Sequence, residues 1–135
     1  MRKFSKRSTN NLIGVHPKLV AVVTRALEIG PIDFVVIEGV RSMERQREMV
    51  AQKASKTLNS KHLKQPDGYG HAVDLFPGTP KGWEDLPAFR QQAEAMFQAA
   101  KEIGIELRWG GDFNRDGWDK GSDNWDKPHF EIFKL

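Results

Sequence analysis

Apolar residues recur at helical spacing in two long stretches of the chain, and each stretch ends at a glycine. We predict one helix from Pro17 to Gly30 and a longer one from Leu86 to Gly104. Proline suits the first helical position, and glycine commonly follows the last one. The apolar positions are Leu19, Val20, Val23, Ala26 and Leu27 in the first helix and Phe89, Ala93, Met96, Phe97 and Ala100 in the second.

Shorter patterns predict a third helix and four strands. Ser42 is a candidate cap for a helix from Met43 to about Ala54, with Met49 and Val50 facing inwards. The strands are short apolar or alternating runs at Asp33 to Gly39, Ala72 to Phe76, Ile105 to Trp109 and His129 to Phe133. Helices and strands that alternate irregularly with short connections indicate an α+β fold with a largely antiparallel sheet.

Length and composition agree with a small soluble enzyme but do not decide the function. The chain has 135 residues, enough for one domain (residues 1–135) with a real core, and no cysteine. Disulfides and thiolate metal sites are therefore excluded, and any metal must be held by His, Asp or Glu. The net charge of +3 and the pI near 9.3 favour polyanionic partners such as nucleic acid, anionic lipid or wall polymers, and Lys and Arg that only solvate the surface are an equal alternative. No basic run with interleaved aromatics supports nucleic-acid binding, so we expect no nucleic-acid partner.

The N-terminal segment is basic but not followed by an apolar stretch. Met1 to Arg7 leads into the polar residues Ser8 to Asn11, which is unlike a secretory signal. No apolar run approaches the ~20 residues that span a bilayer, so stable membrane insertion is not expected. We expect a monomer that accumulates in the cytoplasm and needs outside help to leave it.

Two segments carry residue types that bind metals and move protons. His62 and Asp74 are separated by a short loop, and Asp126 lies three residues before His129. Two histidines and one carboxylate, with a fourth position left to water, are typical of catalytic zinc. A neighbouring carboxylate can take a proton from that water. Taken singly, each histidine could be a hydrogen-bonded surface residue and each aspartate a turn or cap residue.

The other two histidines fit this site less well. His71 lies three positions before Asp74, and odd offsets on a strand point to opposite faces. We therefore interpret His71 as a surface or supporting residue. His16 comes just before a helix and is interpreted as a cap or surface residue.

The spacing of these residues resembles a known family. Two patterns are similar to motifs of the M15 family of zinc peptidases. One is Ser60-x-His62 with Gly70-x-Ala72-x-Asp74, which resembles S-x-H-x-x-G-x-A-x-D. The other is Asp126-x-x-His129, which resembles [E/D]-x-x-H. Gly39 to Ser42 and Trp109 to Asp112 are similar to two further segments of that family. The family includes D-Ala-D-Ala carboxypeptidases and dipeptidases, and phage endolysins that cut the L-Ala-D-Glu bond of peptidoglycan. The size of the chain and its Asp base are closest to the endolysin branch.

The resemblance implies roles for individual residues. His62, Asp74 and His129 would hold Zn²⁺, and Asp126 would act as the general base, with Glu131 the first alternative. Arg41 would stabilise the oxyanion or grip a substrate carboxylate, unless it forms a structural ion pair. Ser60 would support a ligand or hydrogen bond to the substrate. The fold implied is that of the Hedgehog and D,D-peptidase domains.

One departure from the family lies between the first two ligands. The family motif separates its histidine and aspartate by seven positions, whereas His62 and Asp74 lie twelve apart. The extra residues fall in Leu63 to Tyr69, a turn that contains proline and glycine. Lengthening a loop costs only about 0.6 kcal/mol per doubling, so the ligands are expected to keep their positions.

A second ion is predicted from the spacing of oxygen ligands. Asp112, Asn114, Asp116 and Asp123 occupy positions one, three, five and twelve of an EF-hand-like loop, with Gly117 at position six. An ordinary turn between strands is the alternative. If Ca²⁺ binds, it would order the segment that leads to Asp126.

The leading function is a zinc-dependent endolysin that hydrolyses the L-Ala-D-Glu bond of wall stem peptides and reaches the wall after holin-type permeabilisation. A D-Ala-D-Ala carboxypeptidase or dipeptidase is the second hypothesis. A wall-binding module without activity is the third, and retention of three ligands and Asp126 argues against it.

Overall fold

A computed structural model of the protein describes residues 2–52, 60–112 and 126–135. Its helices are α1 (Lys6–Asn11), α2 (Pro17–Ile29), α3 (Met43–Ala51) and α4 (Leu86–Ile103), and a 3₁₀ turn covers Gly82–Glu84. Its strands are β1 (Phe34–Glu38), β2 (Ala72–Pro77), β3 (Glu106–Trp109) and β4 (His129–Lys134). Among the described residues, no helix is both long enough and apolar enough to cross a membrane.

The four strands form one sheet in the order β1-β2-β4-β3, with every neighbouring pair antiparallel. Asp74 of β2 lies opposite His129 of β4, and Arg108 of β3 lies opposite Glu131 of β4. Directly opposed residues place their side chains on the same face, and so do residues two apart on one strand. The last strand therefore brings four polar side chains from distant parts of the sequence to one face.

The other face of the sheet forms the hydrophobic core with α2 and α4. Phe89 and Met96 of α4 are fully buried there, as are Leu19 and Val23 of α2. The sheet contributes buried residues that alternate with the polar ones: Val73, Leu75, Leu107, Trp109, Phe130 and Ile132. Burial of this face fixes the register, because a slip by one residue would exchange the apolar and polar faces.

A bulge near the end of β1 turns a carboxylate towards the polar face. Val36 pairs with Leu75, but the next paired residue is Glu38, which lies opposite Asp74. The extra residue in β1 places Glu38 on the face that carries Asp74, where a regular strand would have placed Ile37.

The predicted α+β class with an antiparallel sheet is confirmed. The long helix has the predicted bounds and ends at Gly104, whose φ of 91° is the left-handed conformation that glycine adopts easily. The four strands agree with the predicted runs to within one or two residues.

One helix, α1, was not predicted because its sequence has no apolar stripe. Its N-cap is Ser5, whose hydroxyl accepts a hydrogen bond from the amide of Ser8. The helix is joined to β1 by polar contacts: Val36 N donates to the buried Ser8 hydroxyl, and the side-chain Nδ2 of Asn11 donates to Val36 O. Contacts of this kind leave no periodic signal in the sequence.

The prediction for the third helix was only partly right. Ser42 caps α3 as predicted, accepting from the amide of Arg45. Met49 and Val50, predicted to face inwards, are only half-buried, and the buried side chain of α3 is Gln46. The predicted end near Ala54 lies outside the described residues.

Candidate metal centre

Three side chains converge at the polar face of the sheet. His62 Nε2 lies 3.1 Å from Asp74 Oδ1 and 3.1 Å from His129 Nδ1, and His129 Nδ1 lies 3.2 Å from Asp74 Oδ1. Within the described part of the chain, this is the one group of three His, Asp or Glu side chains with ligand atoms close enough to share a metal ion. The three residues predicted as ligands are therefore brought together.

The orientation of His62 is set by a backbone carbonyl. Its Nδ1 lies 2.8 Å from Gly39 O, so the ring donates there and directs the Nε2 lone pair towards Asp74. Gly39 is needed because a Cβ at this position would overlap the carbonyl oxygen of Asn11. The close approach of α1 to the end of β1 thus helps to place the first ligand.

The orientation of His129 is set by a carboxylate. Its Nε2 lies 2.8 Å from Glu131 Oε1, which leaves Nδ1 to face Asp74 and His62. Glu131 is itself held by Arg108, whose Nη2 donates to Oε2 at 2.8 Å. The two histidines therefore face the centre through different ring nitrogens.

The donor set fits a metal cation. With hydrogens on His62 Nδ1 and His129 Nε2, two ring lone pairs and the Asp74 carboxylate face one another with no hydrogen between them. Three acceptors 3.1–3.2 Å apart repel one another unless a cation or proton lies between them. Ligand atoms around a tetrahedral Zn²⁺ at about 2.0–2.1 Å lie roughly 3.3 Å apart, close to the spacing seen here.

The charges at the centre are strongly coupled. Burial disfavours the Asp74 carboxylate, but His62 and His129 outweigh burial and hold its pKa well below the usual range. Burial likewise disfavours a charged His129, yet its hydrogen bonds to Asp74 and Glu131 raise its pKa to about 9. The site thus attracts positive charge strongly, whether a proton or a metal ion.

Asp126 lies beside this centre. Its Oδ2 is 3.9 Å from His129 Nδ1, and its side chain is half-buried. Burial raises the pKa of Asp126 to about 6, although the nearby His129 opposes the shift. A carboxylate with such a pKa can both accept and return a proton near neutral pH.

The end of β3 holds the segment that contains Asp126. Gly110 N donates to His129 O at 2.7 Å, and Trp109 Nε1 donates to Lys127 O at 2.6 Å. A Cβ on Gly110 would overlap the carbonyl oxygen of Asp126. The predicted resemblance at Trp109 to Asp112 therefore has a physical basis, since the first two residues position the candidate base.

Arg41 is buried behind Asp74 and is paired with a carboxylate. Its Nε and Nη2 donate to the two oxygens of Glu38 at 2.6 and 2.7 Å, and Nη1 donates to Gln46 Oε1 at 2.6 Å. Its Nη2 lies 4.0 Å from Asp74 Oδ2. Arg41 thus forms the structural ion pair that was the predicted alternative, and Glu38 and Gln46 use three of its five N–H donors.

The remaining predicted polar residues lie around the centre. Ser60 Oγ accepts a hydrogen bond from the backbone amide of His62, which shapes the turn that presents this ligand. His71 and His16 lie apart from the metal centre, as predicted. His71 Nε2 is 2.7 Å from Asp67 Oδ2 in the inserted loop, and His16 caps α2 by accepting from Lys18 N.

The predicted calcium loop falls mostly outside the described residues. Three of the four candidate ligands are not among the described residues: Asn114, Asp116 and Asp123. The fourth, Asp112, is buried, and its backbone amide donates to Trp109 O. Binding of Ca²⁺ stays a prediction.

Three functional contacts were not predicted: Glu131 on His129, and Glu38 and Gln46 on Arg41. The first had a signal, because Glu131 lies two residues after His129 on a predicted strand and so shares its face. Glu38 depends on the bulge in β1, which the sequence does not reveal.

The chain is similar to known proteins in both sequence and fold. The family described as phage L-alanyl-D-glutamate peptidase matches residues 1–133. The L-alanyl-D-glutamate peptidase of Escherichia phage T5 is 38% identical over 120 residues, which are 85% of this chain and 84% of that protein. The crystal structure of the Serratia marcescens L-Ala D-Glu endopeptidase ChiX matches with a TM-score of 0.77 and 41% identity, covering 96% of this chain and 88% of that one.

Proposed function

The chain belongs to the phage L-alanyl-D-glutamate peptidase family, and we propose that it cleaves its wall substrate with one Zn²⁺ ion held by His62, Asp74 and His129. The protein is a peptidase that hydrolyses the bond between L-Ala and D-Glu in peptidoglycan stem peptides. The observation that carries the metal assignment is the triangle of acceptor atoms 3.1–3.2 Å apart.

The composition of the centre favours zinc over harder cations. Two imidazoles and one carboxylate suit Zn²⁺, whereas Mg²⁺ and Ca²⁺ prefer sites made of oxygen. When bound, Zn²⁺ supplies Lewis acidity that lowers the pKa of a coordinated water towards ~7. Three protein ligands leave a position open, as expected of a catalytic site.

Asp126 is proposed as the general base. Its carboxylate lies next to His129 Nδ1 but is separate from the three converging ligand atoms. With a pKa near 6 it is mostly ionised at neutral pH, and so it can take a proton from the attacking water. The protonated carboxyl then delivers the proton to the departing amine of D-Glu. Glu131, the alternative base, instead contacts the opposite ring nitrogen of His129.

Arg41 is proposed to act on the substrate through the N–H groups that Glu38 and Gln46 do not use. The bidentate pair with Glu38 fixes the guanidinium plane, so the Arg41 side chain is already ordered before the substrate binds. Its positive charge, 4.0 Å from Asp74, suits a developing oxyanion or a carboxylate of the stem. The net charge of +3 favours the same anionic substrate.

Digestion of purified sacculi tests this function. The zinc-loaded protein is incubated with sacculi, and the new amino termini are identified and compared with those produced by the Asp126→Ala variant. New D-Glu termini that the variant does not generate are expected. Release of D-Ala would instead indicate a D-Ala-D-Ala carboxypeptidase or dipeptidase, and the absence of any cleavage would indicate a wall-binding module.

A further inference from the structure

Glu131 is a buried carboxylate that the proposed chemistry does not use. It is only 6% exposed, yet its two oxygens have different partners on opposite sides. Oε1 lies 2.8 Å from His129 Nε2, and Oε2 accepts from Arg108 Nη2 at 2.8 Å. Burying a carboxylate is costly unless it is paired, so these contacts are what keeps it inside the protein.

The sheet register makes this arrangement rigid. Glu131 lies two residues after His129 on β4, so both side chains point to the same face. Arg108 lies directly opposite Glu131 on β3, as Asp74 lies directly opposite His129 on β2. A chain of contacts thus runs along one face of the sheet, from Arg108 through Glu131 and His129 to Asp74.

The two histidines differ in what fixes their tautomers. His62 donates its other ring hydrogen to the neutral carbonyl of Gly39, whereas His129 donates to a charged carboxylate. A carboxylate on the far nitrogen both orients an imidazole and makes the near nitrogen a stronger ligand. The stronger of the two histidine ligands is therefore expected to be His129.

We propose that Glu131 is a positioning residue for the metal: it holds His129 as the tautomer with a free Nδ1 lone pair and strengthens that nitrogen as a ligand. Arg108 secures the second oxygen of Glu131 and keeps the first aligned with the ring. This inference rests on the proposed function only in assuming that a metal binds at this centre. It assigns Glu131 no contact with the substrate and no part in proton transfer.

The test measures affinity for Zn²⁺ alone by competition with a chromophoric chelator. The variants are Glu131→Gln, Glu131→Ala and Arg108→Met, with Glu106→Gln as the matched control. Glu106 is an exposed glutamate on the neighbouring strand β3. We expect the Glu131 variants to lose about 10–100-fold in zinc affinity, the usual effect of removing such a partner. Glu106→Gln should match the unmodified protein.

Arg108→Met separates positioning of His129 from a structural role. If Glu131 served only the cross-strand ion pair, removing Arg108 would lower zinc affinity as much as removing Glu131. If Glu131 acts through His129, Arg108→Met should stay closer to the unmodified protein than to Glu131→Ala, because Oε1 still contacts the ring. Equal losses in these two variants would overturn the proposal.

Nitrogen NMR of the zinc-loaded protein gives a readout that does not depend on activity. The ring of His129 should bear its hydrogen on Nε2, in slow exchange with water, and Glu131→Gln should speed this exchange without changing the His62 signal. Glu131→Gln keeps the size of the side chain, so it serves if Glu131→Ala does not fold. Unchanged affinity and exchange in Glu131→Gln would refute the positioning role while leaving the peptidase function intact. Failure of the unmodified protein to bind zinc would contradict the proposed function itself.

Discussion

Asp74 and His129 lie directly opposite each other on neighbouring antiparallel strands, with Asp74 Oδ1 3.2 Å from His129 Nδ1. They are 55 residues apart in the sequence. Pairing of β2 with β4 is therefore what assembles the candidate metal centre, and His62 completes it from the loop before β2. The loss of any one ligand should therefore weaken metal binding at the centre.

We predict that His62→Ala, Asp74→Ala and His129→Ala each lose bound zinc and wall hydrolysis together. Metal binding depends on all three atoms of the triangle, so no variant should keep one property without the other. His71→Ala is the matched control, since its ring contacts Asp67 rather than the centre. The zinc content of each variant is measured by elemental mass spectrometry and compared with its wall-hydrolysing activity. Loss of zinc in His71→Ala with retention in His62→Ala would show that the ligands are wrongly assigned.

We predict that Asp126→Asn keeps zinc but loses most of its activity. The amide fills the same space and cannot accept the proton, and removing a general base costs about 10²–10⁴-fold. Zinc content and turnover should therefore separate in this variant. Turnover near that of the unmodified protein would move the base role to another residue.

Gly110→Ala should lower activity through the position of Asp126. The added Cβ would overlap Asp126 O and lie 2.9 Å from Asp126 Cβ, so the segment with the base must move. Gly78→Ala is the control, because its nearest neighbour would be Asp33 O at an ordinary 3.5 Å. Steady-state turnover of the two folded variants is the measurement. Equal activity would mean that Gly110 does not position the base.

The stability of the long helix should depend on pH through Asp85. This N-cap accepts from Thr79 Oγ1 at 2.7 Å and from Ala88 N at 3.1 Å, and these hydrogen bonds lower its pKa below the usual 3.8. A lowered pKa means that the stabilisation is present above pH 3.8 and is lost as the pH falls through the folded-state value.

We therefore expect Asp85→Ala to be less stable than the unmodified protein at pH 7, and the difference in their free energies of unfolding should become smaller below pH 3.8. Urea unfolding at several pH values measures this difference. Asp85→Asn and Asp85→Ala both lack the titrating carboxyl, so the difference in stability between these two variants should not change with pH. If the difference between Asp85→Ala and the unmodified protein stayed constant down to pH 3, ionised Asp85 would not be a source of the pH dependence.

Much of the fold could be predicted because its apolar pattern is local. The stripe of Phe89 and Met96 defines α4 without reference to any other element, and alternation along β4 places His129 and Phe130 on opposite faces. The short helix α1 escaped prediction because polar contacts with β1, rather than an apolar face, hold it in place.

The candidate ligands could be predicted because few residue types bind metals and because their spacing resembles that of the M15 family. Their supporting contacts could not, since they depend on pairing between distant strands. Glu131 meets Arg108 only through the β3–β4 register, and Glu38 reaches Arg41 only because of a bulge. The effect of the inserted loop was also hidden: Asp67 turns back to His71, which a linear spacing does not show.

The most direct test of zinc-dependent cleavage at L-Ala-D-Glu uses two soluble peptides and the protein stripped of metal by a chelator. One peptide carries an L-Ala-D-Glu bond and the other ends in D-Ala-D-Ala, and products are identified by mass spectrometry. One equivalent of Zn²⁺ per chain should restore cleavage at L-Ala-D-Glu and leave D-Ala-D-Ala intact, and Asp126→Asn should stay inactive with the same zinc. Cleavage of L-Ala-D-Glu by the stripped protein, or zinc-restored cleavage at D-Ala-D-Ala alone, would contradict the account.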